Sequence, residues 1–121
     1  MTPDFLYHIC DRADWEADPE SAVYLGTLVD RRDGFIHLST ANQVATTLER
    51  HFAGRDGLVL LQIAVARLPV APVWERADGR GTAMPHLYSD LPRRAVVAVD
   101  AVPLDASGVP NPPPLQERSE P

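Results

Sequence analysis

The sequence contains no lysine, only one cysteine, and no apolar run that approaches the roughly 20 residues needed to cross a bilayer. The single cysteine, Cys10, excludes an internal disulfide and is typical of a protein of the reducing cytoplasm. The N-terminus has neither a basic region ahead of its short apolar run nor a cleavage site of small residues, so we expect no signal peptide. These absences predict a cytoplasmic protein without a membrane partner, and they leave its oligomeric state open.

Positive charge comes from arginine alone, because all 11 residues of the Lys+Arg class are arginine. The formal net charge is -6 at pH 7. A protein that binds long RNA or DNA is expected to be basic overall, so this charge disfavours such a partner. Guanidinium groups suit bidentate contacts with phosphate or carboxylate, and a small phosphorylated ligand therefore stays compatible with the composition.

Length and composition indicate one folded domain followed by a tail. A chain of 121 residues with 45% hydrophobic residues can bury a core without disulfides or metal. From Pro103 onwards the sequence holds half of the 12 prolines and no periodic apolar pattern. We predict a domain over residues 1–104 and a flexible, Pro-rich tail over residues 105–121.

The order of the local patterns predicts an α+β domain dominated by sheet. Short apolar runs predict strands at "FLYHIC", "GFIHLS", "APVWE", "MPHLY" and "RAVVAVDAV". The run "GLVLLQIAVARL" is apolar on both faces and is expected to be a central strand. The residues after "FLYHIC" predict a short helix or turn that Pro19 ends. Thr40 and Gln43 form a capping-box pattern ahead of the main helix, which carries an apolar stripe of Val44, Leu48 and Phe52.

Three of the 4 histidines lie in short apolar strands, namely His8, His37 and His86. Each is on the opposite strand face from its apolar neighbours, and Glu75 has the same relation to Trp74 in "VWE". One such histidine alone would be explained as a satisfied core residue or a half-exposed one. If the strands pair, however, the four polar side chains could line one cleft.

The aromatic residues divide between core and site. Trp15 and Trp74 are expected to anchor the core, because each lies on an apolar face of its predicted element. Tyr88 shares a strand face with His86 and is the aromatic residue that we expect at the site.

Other chemistries are less well matched by the motifs. Histidine and glutamate are accepted ligands of zinc or iron, but no two of them lie at HxH or HExxH spacing, so a metal site would need distant residues. No G-x-S-x-G, G-x-G-x-x-G or P-loop motif occurs.

The order of the motifs resembles a bacterial family of small domains of unknown function. "LYHI", "GFIHLS" with the Gln-bearing helix "TANQVATTL", "LVLLQI", "VWE" and "PHLYSDLPRRAVVAV" follow one another as in that family, over about residues 5–104. The family's fold is similar to that of the ADP-ribosyltransferases, which implies a split antiparallel sheet with one main helix and a short N-terminal helix. "IHLS" also resembles the H-L-S segment of the RNA 2'-phosphotransferases, which share that fold and consume NAD.

The resemblance implies a role for each polar residue of the strands. His8 corresponds to the first-strand residue that holds the NAD ribose, and His37 to the residue at the nicotinamide end, with Ser39 as a supporting donor. The late-strand glutamate of the transferases corresponds by residue type to Glu75, or His86 takes its place and departs from that pattern. We therefore predict that the catalytic residues are Glu75, His86 and His37 and that the cofactor-binding residues are His8, His37, Ser39 and Tyr88.

The function implied is that of an NAD- or nucleotide-binding, ADP-ribosyltransferase-like enzyme acting on a small acceptor. Breaking the nicotinamide–ribose bond passes through an oxocarbenium-like state, which a nearby carboxylate stabilises. An arginine could pair with the diphosphate, the candidates being Arg76, Arg80, Arg93 and Arg94. Two alternatives stay open: a non-catalytic ligand-binding module of the same fold, and a metal-dependent enzyme that uses the strand histidines.

Overall fold

Three short helices and eight strands make up the part of the chain that the computed structural model describes, residues 3–76 and 81–115. In chain order they are β1 (Phe5–Asp11), α1 (Arg12–Glu16), β2 (Val23–Tyr24), α2 (Leu28–Asp33), β3 (Ile36–His37), α3 (Ala41–His51), β4 (Leu58–Ala64), β5 (Val73–Glu75), β6 (Met84–Leu87), β7 (Leu91–Pro92) and β8 (Val96–Val102). Single 3-10 turns span Val65–Arg67 and Arg93–Ala95. None of the helices in these two ranges has the length and apolar character needed to span a bilayer.

The central sheet consists of the three longest strands, which pair antiparallel in the order β1-β4-β8. The first four residues of β4, Leu58 to Leu61, are all buried, so this strand contacts apolar groups on both faces. The predicted central position of "GLVLLQIAVARL" is therefore confirmed, although the strand ends at Ala64 rather than continuing to the end of that run. The predicted α+β class is confirmed as well.

The two faces of the central sheet are covered by different layers. Tyr7 and Ile9 of β1 contact the buried residues of α3, Val44 and Leu48, on one face. On the other face a second core cluster joins residues of all three sheets, among them Leu6, Cys10, Tyr24, Leu38, Leu61 and Leu87. Because side chains alternate along a strand, His8 shares its face with Leu6 and Cys10 and points into this second cluster rather than to solvent.

Two smaller antiparallel sheets lie against this second cluster, one of β2 and β7 and one in the order β3-β6-β5. The segment after β3 connects the three-stranded sheets: Leu38 N–H donates to the Pro85 carbonyl at 3.1 Å, and Ser39 exchanges two backbone hydrogen bonds of 2.8 Å with Tyr7. This segment therefore fixes β3 and β6 in position relative to β1.

The main helix begins and packs as predicted. Thr40 is its N-cap, the Gln43 side chain accepts from the Thr40 N–H at 3.0 Å, and Val44 and Leu48 are buried. The helix ends at His51 with Phe52 as its C-cap, and the Gly54 N–H that follows donates to the carbonyl of Gly108 in a later segment.

The structure contains one helix that the sequence patterns do not predict, and it contradicts the expected role of one tryptophan. Helix α2 was not anticipated: Leu28 and Val29 are 79% and 48% exposed, so the helix has no apolar stripe that a pattern could show. Trp74 is not a core anchor, because it is 38% exposed on the outer face of the edge strand β5. Trp15, by contrast, packs against the second core cluster as predicted.

The first part of the Pro-rich segment contacts the domain. A bridge joins Leu104 and Pro110, and the Asp105 carboxylate accepts hydrogen bonds within the turn between them. Pro110 is buried, and Leu115 packs against the cluster beneath α3. The predicted division between domain and tail at residue 104 stays a prediction, and residues 116–121 lie outside the described range.

Candidate functional site

His37 and His86 are directly opposite each other on the paired strands β3 and β6. Their ring centroids are 5.6 Å apart, and the Phe35 ring stacks on His86 at 4.0 Å with an interplanar angle of 21°. Each imidazole has its own carboxylate partner on a neighbouring element. We call this group, made of His37, His86, Asp30, Asp33, Glu75 and Tyr88, the paired-histidine site.

Two aspartates of α2 hold the His37 ring. Its Nδ1 donates to Oδ1 of Asp30 at 2.6 Å, and its Nε2 lies 3.0 Å from Oδ2 of Asp33. The hydrogen bond to Asp30 raises the pKa of His37 above its ordinary value; partial burial opposes this, and the charges of both aspartates add to it. The His37 side chain is nonetheless 40% exposed, so a ligand can reach it.

Asp30 is placed by the capping box of α2. The Thr27 hydroxyl accepts from the Asp30 N–H at 3.1 Å, and the Asp30 side chain accepts from the Thr27 N–H at 2.8 Å. Gly34 ends the helix with a φ of 88°, which returns the chain to β3 so that the His37 N–H also donates to Asp30, at 3.0 Å. Burial alone would raise the pKa of Asp30, but the hydrogen bonds from His37 and Thr27 outweigh it and lower the pKa to about 2.

The second half of the site pairs Glu75 with His86 and Tyr88. His86 Nδ1 lies 2.7 Å from Oε1 of Glu75, and the Tyr88 hydroxyl donates to the same oxygen at 2.6 Å. These bonds from Tyr88 and His86 hold the pKa of Glu75 below its ordinary value. Within the described residues no hydrogen bond reaches the other carboxylate oxygen, Oε2, and the Glu75 side chain is 40% exposed.

His8 lies behind the paired-histidine site rather than in it. The ring is 2% exposed: Nδ1 donates to the His37 carbonyl at 2.8 Å, and Nε2 lies 3.1 Å from the Tyr24 hydroxyl and 3.5 Å from Oδ2 of Asp30. Burial lowers the pKa of His8, and the nearby Asp30 opposes that shift. In this geometry His8 supports the backbone of His37 and has no exposed nitrogen for a ligand.

The other predicted contacts are distributed over the molecule. Ser39 is buried, and its hydroxyl lies 3.5 Å from the hydroxyl of Thr47 on α3. Arg93 packs its guanidinium over the Trp15 ring at 4.2 Å and donates to two backbone carbonyls, which is a structural role. Arg94 and Arg76 are exposed. Arg80 lies outside the described residues.

A surface cavity of about 260 Å³ adjoins the paired-histidine site. Asp30 and Tyr88 belong to both, and Phe35, which stacks on His86, also lines the cavity. The remaining lining residues include Arg31, Ser89 and Asp90. The cavity therefore offers aromatic faces, carboxylates and one guanidinium next to the two imidazoles.

The structure brings together His37, Glu75, His86 and Tyr88 as predicted candidates, and their roles stay predictions. Sequence reasoning missed Asp30, Asp33 and Phe35. The pattern "TLVD", with Thr27 three residues ahead of Asp30, is a capping-box signal that could have indicated α2. Nothing local signals that the aspartates of this helix reach His37. Within the two described ranges no group of three or more His, Cys, Asp or Glu side chains has the arrangement of a metal site.

The comparisons with known proteins identify a family and one solved relative. The family model described as "Protein of unknown function (DUF952)" matches residues 9–99. The crystal structure of protein CC0527 from Caulobacter crescentus is similar, with a TM-score of 0.80 and 38% identity over 88% of this chain and 93% of that chain. The solution NMR structure of CC0527 gives a TM-score of 0.77 and 38% identity over 88% and 91% of the two chains. No curated protein matches the sequence.

Proposed function

The chain belongs to the family described as Protein of unknown function (DUF952), and we propose that it is an NAD- or nucleotide-binding protein of ADP-ribosyltransferase type that acts on a small acceptor. The resemblance in motif order motivates the choice of ligand. The observation that carries the proposal is the state of Glu75: one carboxylate oxygen is held by His86 and Tyr88, the other has no hydrogen bond among the described residues, and the side chain is 40% exposed.

A carboxylate held in this way suits the chemistry of ribosyl transfer. NAD, as substrate, supplies a C1'–N bond that breaks with its electron pair leaving on nicotinamide, while the acceptor oxygen or nitrogen forms the new bond to C1' and releases its proton to solvent. Oε2 of Glu75 can lie against the ribose and stabilise the positive charge that develops there. His86 and Tyr88 fix the direction of that carboxylate, so little reorganisation is needed at the moment of reaction.

The residues present fit such a ligand in part. Phe35 and Tyr88 provide aromatic faces for a planar ring. Arg31 lines the cavity and the exposed Arg76 follows Glu75 in the sequence, so both are candidates for contact with a diphosphate. His8 does not fit the role of a direct ribose contact, because both of its ring nitrogens already have partners inside the protein. We assign it the support of His37 instead.

The burial of His8 also favours a second candidate, a non-catalytic ligand-binding module of the same fold. A site without its first-strand ribose contact would hold a nucleotide less firmly at C1' and would turn over slowly or not at all. In both candidates the protein acts in the cytoplasm on a small ligand and not on long nucleic acid, in keeping with its net charge of -6.

Calorimetry with NAD and with ADP-ribose, followed by a nicotinamide-release assay, separates these outcomes. We expect binding that is weakened by His37→Ala, and nicotinamide release that falls by about 100-fold or more in Glu75→Gln. Glu49→Gln, on the exposed face of α3, is the matched control and is expected to leave both unchanged. Binding without release supports the module, and no binding of either compound to the wild type removes the nucleotide proposal.

A further inference from the structure

We propose that Asp30 is a positioning residue that acts through His37: it fixes the orientation of the imidazole and keeps it in the cationic form, so that His37 presents a charged Nε2–H hydrogen-bond donor to an anionic oxygen of a ligand. The donor role rests on the function proposed above. The orientation and the charge of the ring follow from the geometry of the chain itself and are tested without a ligand.

Asp30 makes two separate contacts with the same histidine. Its Oδ1 accepts from the backbone N–H of His37 at 3.0 Å and from the ring Nδ1 at 2.6 Å. The first bond fixes where β3 begins its pairing, and the second fixes the rotation of the ring. The other oxygen, Oδ2, accepts from the Thr27 N–H at 2.8 Å and lies 3.5 Å from Nε2 of His8.

Because Asp30 is buried, its negative charge needs a compensating positive charge, which His37 can provide. Asp30 is only 3% exposed, and a buried carboxylate is costly unless it is paired and hydrogen-bonded. His8 approaches it from β1, but burial disfavours the charged form of that ring. His37 is the partner at the protein surface, where an imidazolium is partly hydrated, so it is the group that compensates the charge of Asp30 at least cost.

The two carboxylates that face the His37 ring both favour its protonated form. Asp30 and Asp33 approach from α2, each at a different ring nitrogen, and both nitrogens can donate only when the ring is protonated. His86 faces His37 from β6, and Arg32 pairs with Asp33 at 3.0 Å. The hydrogen bond to Asp30 and the charges of the two carboxylates outweigh the effect of partial burial, so the pKa of His37 is raised.

Asp30 and Asp33, the two partners of the His37 ring, differ in how readily a ligand can replace them. Asp33 is 30% exposed and shares its charge with Arg32, so a ligand atom can displace it from Nε2. Asp30 stays bonded to Nδ1. Once Asp33 is displaced, Nε2–H can donate a hydrogen bond to an anionic oxygen of the ligand. When the free ring loses its Nε2 proton at higher pH, its remaining proton lies on Nδ1, which is the tautomer that Asp30 holds.

The test is an NMR titration of the His37 ring nitrogens in the full chain without ligand. We expect the wild-type midpoint to lie above the value of about 6.5 of an unperturbed histidine, and the Asp30→Asn midpoint to fall to that value or below it. Thr27→Ala is the matched control: it removes the hydroxyl that caps Asp30 N–H but leaves the contact of Asp30 with the ring, so the midpoint stays at the wild-type value.

Two results would overturn the inference. One is an Asp30→Asn protein that folds and titrates His37 at the wild-type midpoint. The other needs no variant, and so applies even if Asp30→Asn does not fold: wild-type protein above its midpoint must show the Nδ1–H tautomer of His37, and the Nε2–H tautomer contradicts the proposed geometry.

Activity then separates this inference from the proposed function. If the wild type binds NAD, Asp30→Asn is expected to weaken that binding and to move its loss at alkaline pH to lower pH, because the His37 ring loses its charge at lower pH. Wild-type protein that neither binds nor cleaves NAD removes the proposed function, while a lowered His37 midpoint in Asp30→Asn still supports the positioning role. Turnover together with an unmoved midpoint removes the positioning role alone.

Discussion

At the scale of single residues, the two carboxylates of the paired-histidine site differ in what surrounds them. Asp30 is enclosed by the protein and accepts three hydrogen bonds, from Thr27 and from the backbone and ring of His37. Among the described residues, Glu75 has its hydrogen bonds on one oxygen only, and its side chain is 40% exposed. A carboxylate of the first kind suits the positioning of a neighbour, and one of the second kind suits contact with a ligand.

The hydroxyl of Tyr88 is expected to control the ionisation of Glu75. In Tyr88→Phe the 2.6 Å bond to Oε1 is lost, and because this bond is the main cause of the lowered pKa of Glu75, that pKa rises toward its ordinary value. A carboxyl ¹³C NMR titration measures the change. Ser89→Ala is the control, because the Ser89 hydroxyl donates to the Asp90 carbonyl and not to Glu75. An unchanged Glu75 titration in Tyr88→Phe contradicts the assigned hydrogen bond.

We expect protonation of Asp30 to contribute to the loss of folding stability in acid. Its pKa is about 2 in the folded protein and 3.8 ordinarily, so the carboxylate stabilises the fold above pH 4 and loses that contribution as pH falls toward 2. The shift corresponds to on the order of 2 kcal/mol. The difference in unfolding free energy between wild type and Asp30→Asn, measured with urea, should therefore narrow by about that amount between pH 5 and pH 2.

The control for this acid effect is Thr27→Ala. It weakens the same capping box, at a cost of about 1 kcal/mol, without removing a titrating group, so its difference from wild type should stay constant with pH. A difference between wild type and Asp30→Asn that is the same at pH 5 and at pH 2 would show that Asp30 is not the buried, ionised carboxylate described above.

At the scale of elements, the start of α3 is joined to the start of β6 through one side chain. Gln43 accepts from the Thr40 N–H and donates to the Ala83 carbonyl, both at 3.0 Å. Gln43→Ala loses both bonds, and we expect a loss of about 1–2 kcal/mol in urea unfolding, with NMR shift changes that reach His86. Asn42→Ala, at the exposed neighbouring position, should stay within about 0.5 kcal/mol of wild type. Equal stabilities of the two variants would contradict this link.

Elements with a clear apolar period were predictable, and those without one were not. The stripe of α3 and the doubly apolar β4 follow from the burial of their faces. Helix α2 is held by its capping box and by the contacts of Asp30 with His37, while its apolar residues point outward, so periodicity carries no sign of it. Trp74 is exposed for a related reason: β5 is an edge strand of only three residues, and Val73 on its opposite face is 44% exposed as well.

At the scale of the whole molecule, the position of each polar strand residue depends on how the sheets stack. Alternation indicated correctly which face of its strand His8 occupies, but not that the two smaller sheets and their core cover this face. His37 and His86 become neighbours because β3 pairs with β6, 49 positions apart along the chain, as the register of His37 opposite His86 shows. The sequence therefore indicates which polar residues are candidates for the site. It does not indicate which carboxylate pairs with each histidine.

Removal of the segment after β8 tests where the folded domain ends. Pro110 is buried, the Gly54 N–H donates to the Gly108 carbonyl at 2.8 Å, and Leu115 packs beneath α3. A chain that ends at residue 104 loses these contacts, so we expect its free energy of unfolding to fall by about 1–3 kcal/mol in urea unfolding followed by tryptophan fluorescence. Leu115→Ser should reproduce part of the loss, and the exposed Asn111→Ser should not. If the shortened chain unfolds at the same urea concentration as the full chain, the composition change at Pro103 marks the true boundary, and the contacts of Leu115 contribute nothing to stability.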